Sequence, residues 1–202
     1  MIKNIIFDMG RVLIEFDPDE FIRREGITDS AEAALLKERI FYSPLWRDMD
    51  RGLLDEDEMY EEIKEDLPQK LQATGERLIK KWHEPIIPVN GMAEFVRECR
   101  ENGYGIYLLS NASVMQKTYW PRIPGSEYFD GGVVSAYEKV IKPDFRIYEI
   151  LLNRYHLKAE ECLFIDDVEE NVAAAEEIGI HGYVFRNDLP ELREYIRNLK
   201  ER

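Results

Sequence analysis

Short apolar runs that end at a carboxylate or a Ser-Asn pair constrain this chain more than any other feature. Ile5-Ile6-Phe7 ends at Asp8, Ile106-Tyr107-Leu108-Leu109 at Ser110-Asn111, and Cys162-Leu163-Phe164-Ile165 at Asp166-Asp167. Val133-Val134 and Tyr183-Val184-Phe185 are further, weaker runs. Runs this short and this apolar fit strands covered on both faces, as in a parallel sheet. Helical stripes lie between them: Met92, Phe95, Val96 and Cys99; Tyr148, Leu151, Leu152 and Tyr155; Val172, Ala175 and Ile178; Leu189, Leu192, Ile196 and Leu199. The alternation predicts an α/β chain with a three-layer, Rossmann-like core and a mostly parallel sheet.

Roughly a hundred residues separate Asp8 from Ser110, where a β–α–β crossover needs only about 30. The stripe at 91–101 already supplies the crossover helix, so most of 17–88 is surplus. That surplus has helical spacing. Ala34, Leu35 and Phe41 fall near one face, and Asp55 with Glu58 forms a capping box ahead of Met59, Tyr60, Ile63 and Leu67. Leu71, Leu78, Ile79 and Trp82 follow, and Pro85 and Pro88 mark the return. The expected organisation is a core at 1–16 and 89–202 with an inserted all-helical subdomain at 17–88. The acidic stretch from Asp55 to Asp66 reads as a solvated helix face.

Composition narrows the partners. The chain has 202 residues, 41 acids and 27 bases, a net charge of −14. That field repels phosphate backbones and anionic membranes, which argues against a nucleic-acid or membrane partner; a local cation still admits a small phosphorylated metabolite. Hydrophobic residues make up 45%, enough for a packed core. Cys99 and Cys162 read as buried thiols in a reducing compartment. No run approaches the ~18 apolar residues of a membrane span, and Met1-Ile2-Lys3-Asn4 has no signal-peptide layout. The expectation is a cytoplasmic protein, a monomer or weak homodimer.

Ligands of open parallel sheets sit beyond the carboxyl ends of the strands. Asp8, Ser110, Asn111, Asp166 and Asp167 would gather there. Clustered carboxylates raise one another's pKa and stay ionised together if a hard cation joins them; oxygen ligands suit Mg²⁺, which also bridges to phosphate. Lys142, in Ile141-Lys142-Pro143-Asp144, offers a fixed positive charge. Taken singly, each Asp and the Ser-Asn pair also reads as a helix cap or turn residue, and Lys142 as a solvated lysine. Their order along the chain, on successive strand ends, favours a shared site.

These segments resemble the motifs of the haloacid dehalogenase superfamily of Asp-nucleophile hydrolases. Phe7-Asp8-Met9-Gly10-Arg11-Val12-Leu13 resembles the first motif, Leu108-Leu109-Ser110-Asn111 the second, Lys142-Pro143-Asp144 the third, and Phe164-Ile165-Asp166-Asp167-Val168-Glu169-Glu170-Asn171 the fourth. The position of the surplus matches the helical-cap subfamily, and Arg51-Gly52-Leu53-Leu54 resembles a turn of such caps. The resemblance implies that Asp8 is a nucleophile forming an aspartyl-phosphate and that Ser110, with Asn111 nearby, binds the phosphoryl oxygens. It implies that Lys142 neutralises charge, and that Asp8, the Gly10 carbonyl, Asp167 and Asp166 hold Mg²⁺. The activity implied is Mg²⁺-dependent phosphatase action on a small phosphometabolite.

Gly10 departs from the family's usual second Asp, which protonates the leaving alcohol, a service worth about 10²–10⁴-fold. Three answers stay open. The leaving group can be easy: motif one is similar to that of a branch containing a bacterial α-D-glucose-1-phosphate phosphatase, with the phosphatase domain of soluble epoxide hydrolases as another relative, which favours a sugar 1-phosphate. Another carboxylate can stand in, from Glu15, Asp17, Asp48 or Asp50, with nothing in the sequence choosing among them. Or the reaction is that of a 2-haloacid dehalogenase, which needs neither proton nor metal. Asp166-Asp167 argues for a cation, and Gly10-Arg11-Val12 lacks the Tyr-Gly-Thr typical of dehalogenases. A catalytically impaired binding protein is the non-enzymatic alternative. Among side chains with plainer readings, Arg11 is expected in solvent or on the loop. Trp46 is expected in the helical core or stacked on substrate, Asn171 orienting the loop or Asp167, and His83 is the one histidine worth testing.

Overall fold

The computed structural model describes residues 1–200. Its elements run β1 (Asn4–Phe7), α1 (Pro18–Arg24), α2 (Ser30–Arg39), α3 (Pro44–Asp50), α4 (Glu56–Ile63), α5 (Gln69–Lys81), α6 (Met92–Glu101), β2 (Gly105–Ser110) and α7 (Gln116–Tyr119). They continue with β3 (Gly131–Val134), α8 (Ser135–Glu138), α9 (Phe145–Arg154), β4 (Cys162–Asp166), α10 (Glu169–Glu177), β5 (His181–Val184) and α11 (Leu189–Lys200). The strands form one sheet in the order β3-β2-β1-β4-β5, every neighbour parallel.

The runs that look uniformly apolar split by alternation into two faces. Ile5, Phe7, Leu163 and Ile165 pack with Phe95 and Val96 of α6 and Leu192 and Ile196 of α11. Ile6, Cys162 and Phe164 pack on the other face with Ile147 and Leu151 of α9 and Ala174 and Ala175 of α10. Three layers result, as the sequence predicts. Strand order reverses around β1: the chain proceeds outward through β2 and β3, then crosses back to place β4 on β1's other side. Phe7 pairs with both Leu108 and Ile165, so the register delivers Asp8 and Asp166 side by side at the crevice where ligands of such sheets bind.

Helices α1 to α5 lie between β1 and α6 and enclose a separate apolar cluster that includes Leu36, Ile40, Met49, Met59 and Ile79. Local chemistry sets their starts. Asp17 accepts the Asp19 and Glu20 amides ahead of Pro18, Asp29 caps α2, and Ser43 caps α3 ahead of Pro44. The Asp55–Glu58 capping box forms in both directions. The insert joins the sheet unit through a narrow neck. The Glu15 amide donates to the Ile87 carbonyl at 2.8 Å, the Val89 amide to Leu13 at 3.0 Å, and Ile14 bridges Pro88 antiparallel. Trp82 packs against both apolar clusters. Both cysteines are buried, and among the described residues no helix is long and apolar enough to cross a membrane.

Candidate active site

Lys142 organises the crevice. Its side chain is 1% exposed, and its ammonium donates to Asp8 Oδ1 at 2.7 Å, Asp166 Oδ2 at 2.6 Å and the Leu109 carbonyl at 3.0 Å, which occupies all three protons. Burial would strip its proton, but the charges of Asp166 and Asp8 outweigh that and raise its pKa. Asn111 fixes the backbone beneath it: the Lys142 amide donates to Asn111 Oδ1 at 2.8 Å, and Asn111 Nδ2 donates to the Lys142 carbonyl at 3.1 Å. The side-chain amide thus reads both polar groups of one peptide residue and sets where the ammonium emerges.

Asp166 is wholly enclosed. Besides Lys142 it accepts the Val168 amide at 2.8 Å and Asn171 Nδ2 at 3.1 and 3.2 Å. Asn171 therefore holds Asp166, not Asp167. Asp167 keeps a partly open carboxylate with the Arg11 guanidinium 3.5 Å away, and Arg11 is steadied by donating to the Phe16 carbonyl at 3.1 Å. Arg11 is thus largely solvent-exposed and held by a loop contact, as expected from the sequence, with its guanidinium at the edge of the site.

Asp8, Asp166 and Asp167 each offer an oxygen, all within 4.8 Å of one another. Burial pushes the Asp8 carboxyl up to about 7 against the pull of Lys142, and burial followed by Asp166 raises Asp167 as well. Carboxylates held so reluctantly in ionised form mark a site short of positive charge. A hard divalent cation among oxygen donors would supply it, so the donor set fits Mg²⁺. Asp8 and Asp167, which face open space, are the better placed to bind; the oxygens of Asp166 are already taken by three donors, Lys142, Val168 and Asn171.

A cavity of about 260 Å³ opens from this cluster towards the helical insert. Of the residues expected to meet, Asp8, Gly10, Asn111, Lys142 and Asp167 line it. Ser110 ends β2 buried at 1% exposure and does not line the cavity, whereas the next three residues, Asn111, Ala112 and Ser113, do. The opposite wall is apolar: Phe16, Trp46, Met49 and Trp82, with Tyr119 at the side. Trp46 belongs both to the helical core and to this wall. His83 stacks on Tyr119 at 4.4 Å and is buried away from the cavity, with burial lowering its pKa.

Of the four carboxylates left open by the sequence, one lines the cavity itself. Asp50, the last residue of α3, lines the cavity. Glu15 and Asp17 line a neighbouring depression, with Arg186 and Asn187, that shares Arg11, Phe16 and Asp167 with the cavity, and Asp17 is engaged as the α1 cap. Asp48 pairs with Arg51 at 3.8 Å and does not line the cavity. Burial, then the charges of Asp8 and Glu56, push Asp50 up to about 8. Sequence reasoning missed the link between Ser113 and the buried Glu56, whose hydrogen bond ties α4 to the loop after β2. A glutamate inside an acidic, apparently solvated helix face carried no signal of burial.

The sequence pattern of haloacid dehalogenase-like hydrolases matches residues 2–179. The chain is 28% identical to sesquiterpene phosphatase astK of Aspergillus oryzae, over 96% of each chain. It is 25% identical to a D-ribitol-5-phosphate phosphatase of Bacteroides thetaiotaomicron, over 91% of each. Among solved structures, a HAD family enzyme of Bacteroides thetaiotaomicron in complex with magnesium and inorganic phosphate superposes with a TM-score of 0.70. It is 24% identical, with 95% of this chain and 99% of that one covered.

Proposed function

The chain belongs to the haloacid dehalogenase-like hydrolase family, and from that premise we propose that it is a Mg²⁺-dependent phosphatase acting on a small phosphomonoester through an aspartyl-phosphate on Asp8. One observation carries the reading: the Asp8 carboxylate meets Lys142 at 2.7 Å and two further carboxylates within 4.8 Å, in the wall of a cavity of about 260 Å³. Phosphoryl transfer passes through a loose transition state, so positioning and charge neutralisation carry most of the catalysis. Asp8 attacks phosphorus, and Lys142 holds the nucleophile in place and offsets charge on it and on the phosphoryl group. Asn111 and the loop through Ser113 border the phosphoryl oxygens, and Ser110, buried at the end of β2, starts that loop. Asp8, Asp167 and the Gly10 carbonyl would hold Mg²⁺, which would supply neutralising charge to the nucleophile and the phosphoryl group. Asp166 and Asn171 keep Lys142 aimed. Residues 17–88 act as the cap that covers the organic half of the substrate, over a core of 1–16 and 89–202.

The wall of Phe16, Trp46, Met49 and Trp82 favours an organic group with an apolar surface. A sesquiterpene phosphatase among the relatives agrees with that, and a sugar 1-phosphate remains the choice that leaves most easily. The test is phosphate release from prenyl monophosphates, sugar 1-phosphates and polyol phosphates with Mg²⁺, using Asp8→Asn and EDTA as controls. Turnover lost in both controls is the expected result. Phosphate release that survives Asp8→Asn sinks the reading, and EDTA-insensitive hydrolysis of 2-chloropropionate without phosphatase activity replaces it with dehalogenation.

A further inference from the structure

Transfer of a phosphoryl group to Asp8 expels an alkoxide, and ordinary alkoxides leave slowly unless a proton reaches the oxygen as the P–O bond breaks. Gly10 cannot supply one. Packing does not forbid a side chain there, since an added Cβ would meet nothing nearer than Phe16 Cβ at 3.7 Å. The proton source therefore lies elsewhere on the cavity wall.

Few wall residues can act, and the Ser113 hydroxyl is already donated to the buried Glu56. Asp8 forms the new bond, and Lys142 has all three protons engaged. Asp167 faces Arg11 and the cation position, and a guanidinium stays protonated at any working pH. Burial drives the Tyr119 hydroxyl far above its ordinary 10.0. Asp50 is the group left, and its carboxylate makes no hydrogen bond or ion pair to any described residue. Resting on the phosphatase reading above, we propose that Asp50, delivered from the helical insert, is the general acid and base of the reaction.

The step balances. Asp8 Oδ bonds to phosphorus, the P–O bond to the alcohol breaks, and the Asp50 carboxyl proton goes to the departing oxygen. Asp50 carboxylate then takes a proton from water as the water oxygen bonds to phosphorus and the Asp8–O–P link breaks. Inorganic phosphate leaves and Asp50 is protonated again.

Asp50 lies on the insert yet is fixed to the sheet unit. Ser135 Oγ, at the start of α8, donates to the Asp50 carbonyl at 2.5 Å and also accepts the Ala112 amide at 3.0 Å. Lys139 donates to the Gly52 carbonyl. Gly52 has φ +65°, and a Cβ there would lie 3.0 Å from the Ala136 carbonyl carbon and closer to its oxygen. The turn after α3 is thus seated on the segment that follows β3, so Asp50 keeps its station relative to Asp8. With its carboxyl pushed up to about 8 by burial and by Asp8 and Glu56, a large protonated share is available at neutral pH, and the conjugate base is strong enough to accept the proton of water.

The test compares wild type, Asp50→Asn and Asp48→Asn, with Mg²⁺, on an alkyl phosphate and on 2,4-dinitrophenyl phosphate, whose leaving group needs no proton. Asp50→Asn should lose about 10²–10⁴-fold on the alkyl ester. On the dinitrophenyl ester it should still release one equivalent of dinitrophenolate in a burst, then stall with phosphate on Asp8, detectable by mass. Asp48→Asn should stay within about twofold of wild type on both esters, as expected for a surface site away from the machinery. An Asp50→Asn protein that keeps wild-type turnover on the alkyl ester overturns the proposal. So does one that melts no lower than wild type yet shows no burst, and so does an equal loss in Asp48→Asn. If wild type itself hydrolyses no phosphomonoester, the phosphatase reading fails first and this inference goes with it.

Discussion

Gly52→Ala tests whether the seat of Asp50 is as tight as the geometry says. The new methyl would meet the carbonyl of Ala136, with its carbon at 3.0 Å and the Lys139 ammonium at 2.8 Å. Backbone cannot swing aside as a side-chain tip can, so the turn must retreat by about an ångström to restore ordinary contact. Holding a non-glycine residue at φ +65° adds about 1–2 kcal/mol, and overpacking against fixed atoms about 1–3 kcal/mol. The expected destabilisation is about 2–5 kcal/mol, a fall in Tm of roughly 4–20 °C for a chain of this size. A catalytic group displaced by about an ångström loses on the order of 10² in rate, so kcat on an alkyl phosphate should drop by that factor. Hydrolysis of dinitrophenyl phosphate should show a near-normal first turnover. Calorimetry and a stopped-flow phosphate assay on the same preparation read both effects. A Gly52→Ala protein with wild-type Tm and wild-type kcat on the alkyl ester would show that the turn floats, and the positioning argument would fall.

Three further outcomes follow from the same contacts. The folded chain holds the Asp50 proton near pH 8 against an ordinary 3.8. Its folded state therefore binds that proton more tightly than the unfolded state, and stability falls as pH rises from about 4 to 8. Without added divalent cation, Asp50→Asn should be more stable than wild type at pH 8 by on the order of 2–4 kcal/mol, with no difference at pH 4; denaturant titrations that show the reverse order refute the assignment. Lys142→Met leaves Asp8 and Asp166 facing each other without a counter-charge. Phosphate release should fall about 10²–10³-fold and not recover with excess Mg²⁺, and a loss under tenfold would contradict the role given to the ammonium. Asp167→Asn should raise the Mg²⁺ concentration for half-maximal activity by at least roughly 10–100-fold, the range that loss of even an outer partner brings; an unchanged Mg²⁺ titration would remove Asp167 from the cation site.

Much of the architecture could be read from residues that sit where burial and chemistry coincide. Ile5-Ile6-Phe7 and Cys162-Leu163-Phe164-Ile165 are apolar on both faces because both faces are covered, and each ends in the acid that the crevice uses. The β3 run was weak for a physical reason. Gly131 and Gly132 carry no side chains because the Tyr155 ring and Leu108 occupy that space, leaving only Val133 and Val134 to signal a strand. At β5 the strand begins two residues before the apolar run, at His181, because at the sheet edge its first two residues are exposed and part-exposed and carry no apolar signal. Asn171 was expected to orient the loop or Asp167, and it holds Asp166 through two short contacts that spacing alone does not distinguish. The choice among Glu15, Asp17, Asp48 and Asp50 lay beyond the sequence. It depends on which way a short helix faces after the chain has left the sheet, and Asp48 and Asp50 stand only two residues apart with opposite surroundings.

The neck at Leu13–Glu15 and Ile87–Val89 has a consequence for how such a protein can diversify. The chain departs and returns through backbone groups that are already hydrogen-bonded to each other, so everything strung between them can be enlarged, trimmed or exchanged without re-threading the sheet. Descendants can inherit the bond-breaking apparatus unchanged while acquiring a new lid and a new appetite. A graft at that junction must bring its own carboxyl group, however, because here half of the proposed chemistry travels with the interchangeable piece.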